Sequence, residues 1–168
     1  IVDEENERKI RIFKYGPQLE NLSTIDTIGF GSANVLAFAL CNGQYLTITD
    51  DGSERILRGI SFDGDQLQIS RSSTVNQDSI DCANINGIDQ ILLSGGSSVY
   101  SVLTANFVQV DTGSSNDATM MTLSNDGVVL GCSEVDCQIK TADLDGDGDD
   151  ETIVKNASGI SIQGLDND

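Results

Sequence analysis

The residues best suited to chemistry stand together near the end of the chain, where residues 143–151 read DLDGDGDDE. Carboxylates occupy the first, third and fifth positions, and glycines follow two of them. Alternate side chains of a tight turn can point to one side, and glycine permits such a turn because it has no Cβ. Calcium prefers six to eight oxygen ligands. The pattern therefore predicts a calcium site made by the side chains of Asp143, Asp145, Asp147 and Glu151 and the backbone carbonyl of Asp149.

Two other interpretations of this stretch compete with a calcium loop between strands. An EF-hand begins in the same way, but it needs a bidentate Glu at position 12 and a helix on each side. Position 12 is Val154, inside a β-branched run that disfavours helix. A merely charged surface turn would leave several carboxylates repelling one another within a few residues. Calcium is therefore the favoured interpretation.

The elements that must position this loop are predicted to be β-strands. The chain has 17 glycines against one proline, and its apolar residues recur in short alternating runs such as YLTIT, RILRGISF and QLQIS. Turn pairs such as Asp51-Gly52 and Asn86-Gly87 separate these runs. Only the first fifteen residues are charged enough to suggest a surface helix, and RKIRIFKYG within them alternates as a strand would. The fold class predicted is all-β.

A weak internal repeat organises these strands. Copies of the loop-and-strand phrase begin at residues 26, 84 and 143, about 58 residues apart. In each copy a glycine-bearing loop leads into an apolar strand, a turn of small residues and a second strand. A unit of this length with four strands has the size of one β-propeller blade.

The loop and the strand after it resemble the FG-GAP family of integrin-type calcium-binding repeats. The signature of that family is D-x-D/N-G-D-G-x-x-D before an apolar strand. Residues 143–151 match it, with Glu151 in place of the last Asp. Residues 26–34 keep the glycines but carry Ile28 and Phe30 at the middle carboxylate positions, so a packed hydrophobic turn is expected there. Residues 84–90 are shortened and are expected to bind nothing.

This resemblance implies propeller-like blades, of which the chain holds an incomplete set. Two full units are expected at 26–83 and 84–142, with the last strands of a partial blade in 1–25 and a partial third repeat in 143–168. A propeller needs about four to eight blades to close, so strand edges would stay exposed. Either the chain is excised from a longer propeller, as its start at Ile1 rather than Met suggests, or subunits complete one another head to tail.

Cysteine usage predicts the compartment. The four cysteines are Cys41, Cys82, Cys132 and Cys137, which allow three pairings. The last two lie five apart, a spacing that a turn can close, and this would leave Cys41 to pair with Cys82. Metal binding by cysteine is disfavoured, because the chain has no histidine and no C-x-x-C pair. An even count in a turn-rich chain favours an oxidising, extracellular setting.

Glycosylation sequons are consistent with that setting. They occur at Asn21 and at Asn156, and the second is the better candidate because it should lie in an exposed turn after the strand that follows the calcium loop.

Charge and motifs exclude several classes of function. A net charge of −18 argues against nucleic acid or an anionic membrane as partner, since both need a cationic face. No apolar run approaches the ~20 residues that span a bilayer. Without histidine there is no Ser-His-Asp or Cys-His arrangement, and no nucleophile elbow, P-loop or zinc motif occurs. We expect no enzyme here unless a catalytic domain lies outside these residues.

The sequence as a whole predicts a secreted, calcium-binding β-repeat protein of structural or adhesive type. Its expected partner is protein, either another copy of itself or a larger parent chain. The alternative is a carbohydrate- or protein-binding module of a larger cell-surface protein or secreted enzyme. The aromatic residues do not favour a sugar platform, because Tyr15, Tyr45 and Tyr100 are scattered and the chain has no Trp.

Overall fold

The structure, a computed structural model, describes residues 2–4, 7–15, 22–41, 43–63, 66–114, 118, 120–133 and 137–164. Within these ranges the chain forms sixteen strands and no helix, which confirms the all-β prediction. The start of the chain, for which the sequence left helix and strand open, is a strand over Glu7–Tyr15. Within each sheet, neighbouring strands are consecutive in the chain and pair antiparallel. The chain divides into two compact units, Ile1–Val75 and Asn76–Asp168.

The first unit contains two sheets. The three-stranded sheet is formed by β1 (Val2–Glu4), β2 (Glu7–Tyr15) and β3 (Leu22–Gly29), in that order. The four-stranded sheet is formed by β4 (Asn34–Cys41), β5 (Gln44–Asp50), β6 (Arg55–Asp63) and β7 (Gln66–Val75). Leu46, Ile48 and Leu57 on its two central strands are fully buried. Because Ile48 and Leu57 are cross-strand partners, this face forms the core of the sheet.

The second unit contains three sheets. The four-stranded sheet is formed by β8 (Ser79–Ile85), β9 (Ile88–Ser94), β10 (Val99–Thr104) and β11 (Gln109–Ser114). A hairpin of β12 (Met120–Leu123) and β13 (Val129–Cys132) follows. The last sheet is formed by β14 (Gln138–Ala142), β15 (Glu151–Asn156) and β16 (Gly159–Gln163). A buried cluster of Ile85, Leu92, Val102, Met121 and Leu123 joins the four-stranded sheet to β12.

Turn chemistry explains the hairpins. Asn86 and Gly87 connect β8 to β9, with φ angles of 52° and 81°. Two successive residues with positive φ define the type I′ turn, whose twist matches that of paired strands and which favours Asn-Gly. The turn predicted at this dipeptide is confirmed.

Asp81 on β8 fixes the strand that leads into the acidic loop. Its carboxylate accepts hydrogen bonds from the backbone N–H of Leu123 (3.1 Å) and the hydroxyl of Thr122, both on β12. It also forms an ion pair with Lys140 on β14. The side chain of Asp81 is only 15% exposed, so these partners compensate its desolvation. One carboxylate thus holds strands of three sheets in place.

The predicted repeat starts do not fall at equivalent places in the fold. Residue 26 lies on β3 and residue 84 on β8, whereas residue 143 begins the connection between β14 and β15. Strand β8 pairs with β9, and β14 pairs with β15, whereas β3 and β4 belong to different sheets. No closed barrel or propeller is found among the described strands, so the propeller-like blades and the repeat boundaries stay predictions.

The cysteines are oxidised. Cys132, at the end of β13, and Cys137, directly before β14, form the predicted disulfide, with Cα atoms 6.1 Å apart. Cys41 and Cys82 are disulfide-bonded as well, so no described cysteine is free. These bonds are consistent with an oxidising, extracellular environment.

Candidate metal centre

The acidic loop spans residues 143–150 and connects two paired strands. Ala142, the last residue of β14, is the cross-strand partner of Glu151, the first residue of β15, so both ends of the loop are fixed side by side. Gly146 and Gly148 have φ angles of 85° and 102°, in the region that favours glycine. These two glycines allow the loop to turn back on itself within eight residues.

Three carboxylates converge on one point at the base of this loop. Asp143, Asp145 and Glu151 each offer an oxygen, and these oxygens all lie within 4.8 Å of one another. Asp143 and Asp145 are exposed, whereas Glu151 is only 2% exposed. The ion pairs of Arg55 with Asp50 and of Lys140 with Asp81 both lie outside the loop. The cluster could hold a metal ion.

Backbone N–H groups of the loop orient its carboxylates. Leu144 donates to Oε2 of Glu151 over 2.7 Å, and Gly146 donates to Oδ1 of Asp143 over 2.6 Å. Asp147 donates to Oδ1 of Asp145 over 3.2 Å. Each carboxylate of the cluster therefore has one oxygen bound to the loop backbone, which fixes the side chain. Charged acceptors of this kind make the stronger hydrogen bonds of proteins.

The remaining acidic residues of the loop lie outside this cluster. Asp147, predicted as a side-chain ligand, is exposed, and its Oδ1 accepts a hydrogen bond from the N–H of Asp149 over 2.8 Å. Asp149 is exposed as well, and the role predicted for its backbone carbonyl stays a prediction. Asp150, which the sequence did not single out, accepts a hydrogen bond from the N–H of Asn125 over 2.7 Å. Its partner lies 25 residues away, and no local pattern reveals it.

The strands around the loop exclude the EF-hand. Val154, at the position where an EF-hand requires its last ligand, lies on β15 and pairs with Ile139 on β14. Strands therefore flank the loop on both sides, as the β-branched run predicts.

The first copy of the loop phrase contains a partly buried aromatic ring. Phe30 is covered by the guanidinium group of Arg58, which lies 5.5 Å from the ring centroid. Burial lowers the pKa of Arg58, and its guanidinium donates a hydrogen bond to the buried hydroxyl of Thr49. Phe30 and Arg58 line a cavity of about 290 Å³. The carboxylates on this cavity, Asp51 and Glu54, come from the β5–β6 turn and not from the loop.

Other predicted positions fall on peripheral parts of the chain. Asn156 ends β15, and its side-chain oxygen accepts a hydrogen bond from the N–H of Ser158 over 2.9 Å. Asn21 lies outside the described residues. Within the described ranges no helix is long and apolar enough to cross a membrane.

Sequence reasoning missed an aromatic group on the four-stranded sheet of the first unit. The ring of Tyr45 stacks with that of Phe38, with centroids 5.9 Å apart, and meets Phe62 edge-on at 6.1 Å. Phe38 and Phe62 are 42% and 38% exposed. The three rings come from β4, β5 and β6, so the group is visible only once these strands are paired.

No known family model matches the chain, and no curated protein is significantly similar to it. The resemblance to FG-GAP repeats consequently rests on residues 143–151 and on the repeat, and it stays a hypothesis.

Proposed function

We propose that the chain binds one calcium ion at Asp143, Asp145 and Glu151, and that this ion stabilises a secreted β-repeat protein of structural or adhesive type. The observation that carries the proposal is the burial of Glu151. A carboxylate that is 2% exposed is costly to charge unless a positive group or several donors compensate it. Two further carboxylates converge on it and one backbone N–H donates to it, which supports a divalent cation as the compensating charge.

The donor set favours calcium among the divalent ions. All three side chains offer carboxylate oxygens, which are the ligands of hard cations, and no sulfur or imidazole is present to select zinc or copper. Two of the three ligands are exposed, so water can complete the six to eight oxygens that calcium takes. The disulfides are consistent with an extracellular setting. In that setting calcium would be available to the site.

The proposed role of the ion is to stabilise the last sheet of the second unit. Without a cation, the carboxylates repel one another at the connection between β14 and β15. A ligand that binds only the folded state stabilises it by RT ln(1 + [L]/Kd), about 2.7 kcal/mol when the ligand concentration is a hundred times Kd. A structural module that works outside the cell would gain this stability from calcium. The partner proposed is protein, either another copy or a larger parent chain.

The test is a calcium titration of the native chain and the variant D145N, by calorimetry and thermal unfolding. Asparagine has the same shape as the exposed Asp145 and can still accept the bond from the N–H of Asp147, but it lacks the charge. We expect the native chain to bind calcium and gain thermal stability, and D145N to bind at least about tenfold more weakly. The matched control is D111N, which changes an exposed aspartate on β11. Equal affinities of D145N and the native chain would refute the site.

The second candidate function is a carbohydrate-binding module, favoured by the exposed aromatic group of Phe38, Tyr45 and Phe62. Sugar rings present apolar C–H faces that pack against exposed aromatic rings, while their hydroxyl groups bind nearby polar residues. If this function is correct, F38A should lose binding to oligosaccharides on a glycan array, whereas V110A on β11 should keep it. If the native chain binds calcium but no glycan on the array, the carbohydrate-binding function is refuted and the structural role remains.

A further inference from the structure

Asn125, in the turn of the neighbouring β12–β13 hairpin, forms two hydrogen bonds with the acidic loop. The backbone N–H of Asn125 donates to Oδ2 of Asp150 over 2.7 Å. Its side-chain Nδ2 donates to the carbonyl oxygen of Gly148 over 2.8 Å. These contacts join residues 25 and 23 positions apart in the chain.

The turn that presents Asn125 is itself well fixed. Ser124 donates its backbone N–H to the carbonyl of Val128 over 3.0 Å, and its buried hydroxyl accepts the N–H of Val128 over 3.1 Å. The same hydroxyl donates to the carboxylate of Asp126 and lowers the pKa of that group. The hydroxyl of Thr141 on β14 donates to the carbonyl of Leu123, over 3.2 Å. Asn125 therefore acts from a rigid support and not from a loose surface turn.

We propose that Asn125 is a positioning residue for the cation, and that cation binding and order in the β12–β13 turn are linked. This inference rests on the proposed function. Gly148 lies between Asp147 and Asp149 at a tight turn with φ of 102°, so fixing its carbonyl fixes the path of the loop. Asp150, whose Oδ2 accepts the N–H of Asn125, is not one of the three converging carboxylates. Linkage is reciprocal. If the hydrogen bonds of Asn125 favour cation binding, cation binding must stabilise those hydrogen bonds by the same free energy.

The experiment measures calcium affinity by calorimetry for the native chain, N125A, N125D and N84A. N125A removes the bond to Gly148. N125D keeps the shape and adds a negative charge that by itself attracts the cation, yet it cannot donate to the carbonyl. Asn84 is the matched control, because it also stabilises a hairpin turn, through Asp89 and the N–H of Gly87, without touching the acidic loop. Hydrogen exchange of the Val128 amide with and without calcium reports order in the turn.

We expect N125A and N125D to bind calcium about five- to tenfold more weakly, the loss appropriate to one hydrogen bond. N84A should keep the native affinity, and calcium should slow exchange at Val128 in the native chain but not in N125A. A merely structural role would lower the stability of N125A while leaving calcium affinity unchanged, and N125D would then bind as tightly as the native chain or more tightly. That outcome overturns the positioning role of Asn125 and leaves the proposed calcium site intact. Absence of calcium binding by the native chain overturns the proposed function and this inference with it.

Discussion

Individual carboxylates in this chain differ in what compensates their charge. In the β5–β6 turn, Asp50 forms an ion pair with Arg55 and accepts the N–H of Gly52, over 3.2 and 2.7 Å. Oδ1 of Asp51 accepts the N–H and hydroxyl of Ser53 and the N–H of Glu54. Donors of the turn itself therefore satisfy both groups. In the 143–151 loop three carboxylates face one another instead, so among the described residues only that turn is a candidate for a cation.

The Asp51 turn gives a prediction at the scale of one residue. The Ser53 hydroxyl, followed by the backbone N–H groups of Ser53 and Glu54, lowers the pKa of Asp51 from 3.8 to about 2. Because the folded pKa is depressed, the stabilisation is fully present above about pH 4 and is lost as the pH falls through about 2. We expect S53A to raise the pKa of Asp51 towards 3.8, measured by NMR titration of the carboxyl carbon. The pKa of Asp126, which depends on Ser124, is the internal control. An unchanged Asp51 value in S53A would show that the hydroxyl is not the cause.

At the scale of elements, the sequence predicts those strands that have a local pattern of alternating apolar residues. Strands β5 and β6 are predicted because alternating apolar residues flank an Asp-Gly turn. By contrast, β8 contains Asp81, Cys82 and Asn84 and has no apolar alternation to reveal it. It pairs with β9 across the Asn86-Gly87 turn, and Asp81 adds partners on β12 and β14, 41 to 59 residues away. Contacts at that distance leave no local pattern.

The same limit applies to the candidate metal centre. Spacing along the loop locates the carboxylates and the two glycines, because both depend on the turn itself. It does not show that Asp143, Asp145 and Glu151 converge while Asp147 lies apart, since this depends on how β14 and β15 pair. Nor does it show the Asn125 contacts, which need the hairpin and the loop to be adjacent. The sequence therefore predicts the ligand types and the turn, but not the strand pairing and hairpin contacts that position them.

At the scale of the whole molecule, charge and exposed strand edges act in opposite directions. A net charge of −18 makes copies of the chain repel one another. Strand β16, however, carries no charged residue, pairs only with β15 among the described strands, and exposes Ile160 at 71%. Uncharged edges of this kind are templates for pairing with another chain. Calcium bound at the proposed site would reduce the negative charge next to this sheet, so we expect self-association to depend on calcium.

The prediction at this scale concerns particle mass, measured by light scattering in calcium and then in chelator. We expect assemblies larger than the 17.9 kDa chain in calcium and single chains in chelator, because the bound ion lowers the repulsion that opposes pairing at β16. Placing a charge on that edge with I160K should abolish assembly without unfolding the sheet, since the side chain is exposed. The matched control is I88K, which charges an exposed isoleucine on β9, a strand paired on both sides. Single chains in both conditions, or assembly unaffected by I160K, would contradict pairing at β16 and would direct the search for a partner to other proteins.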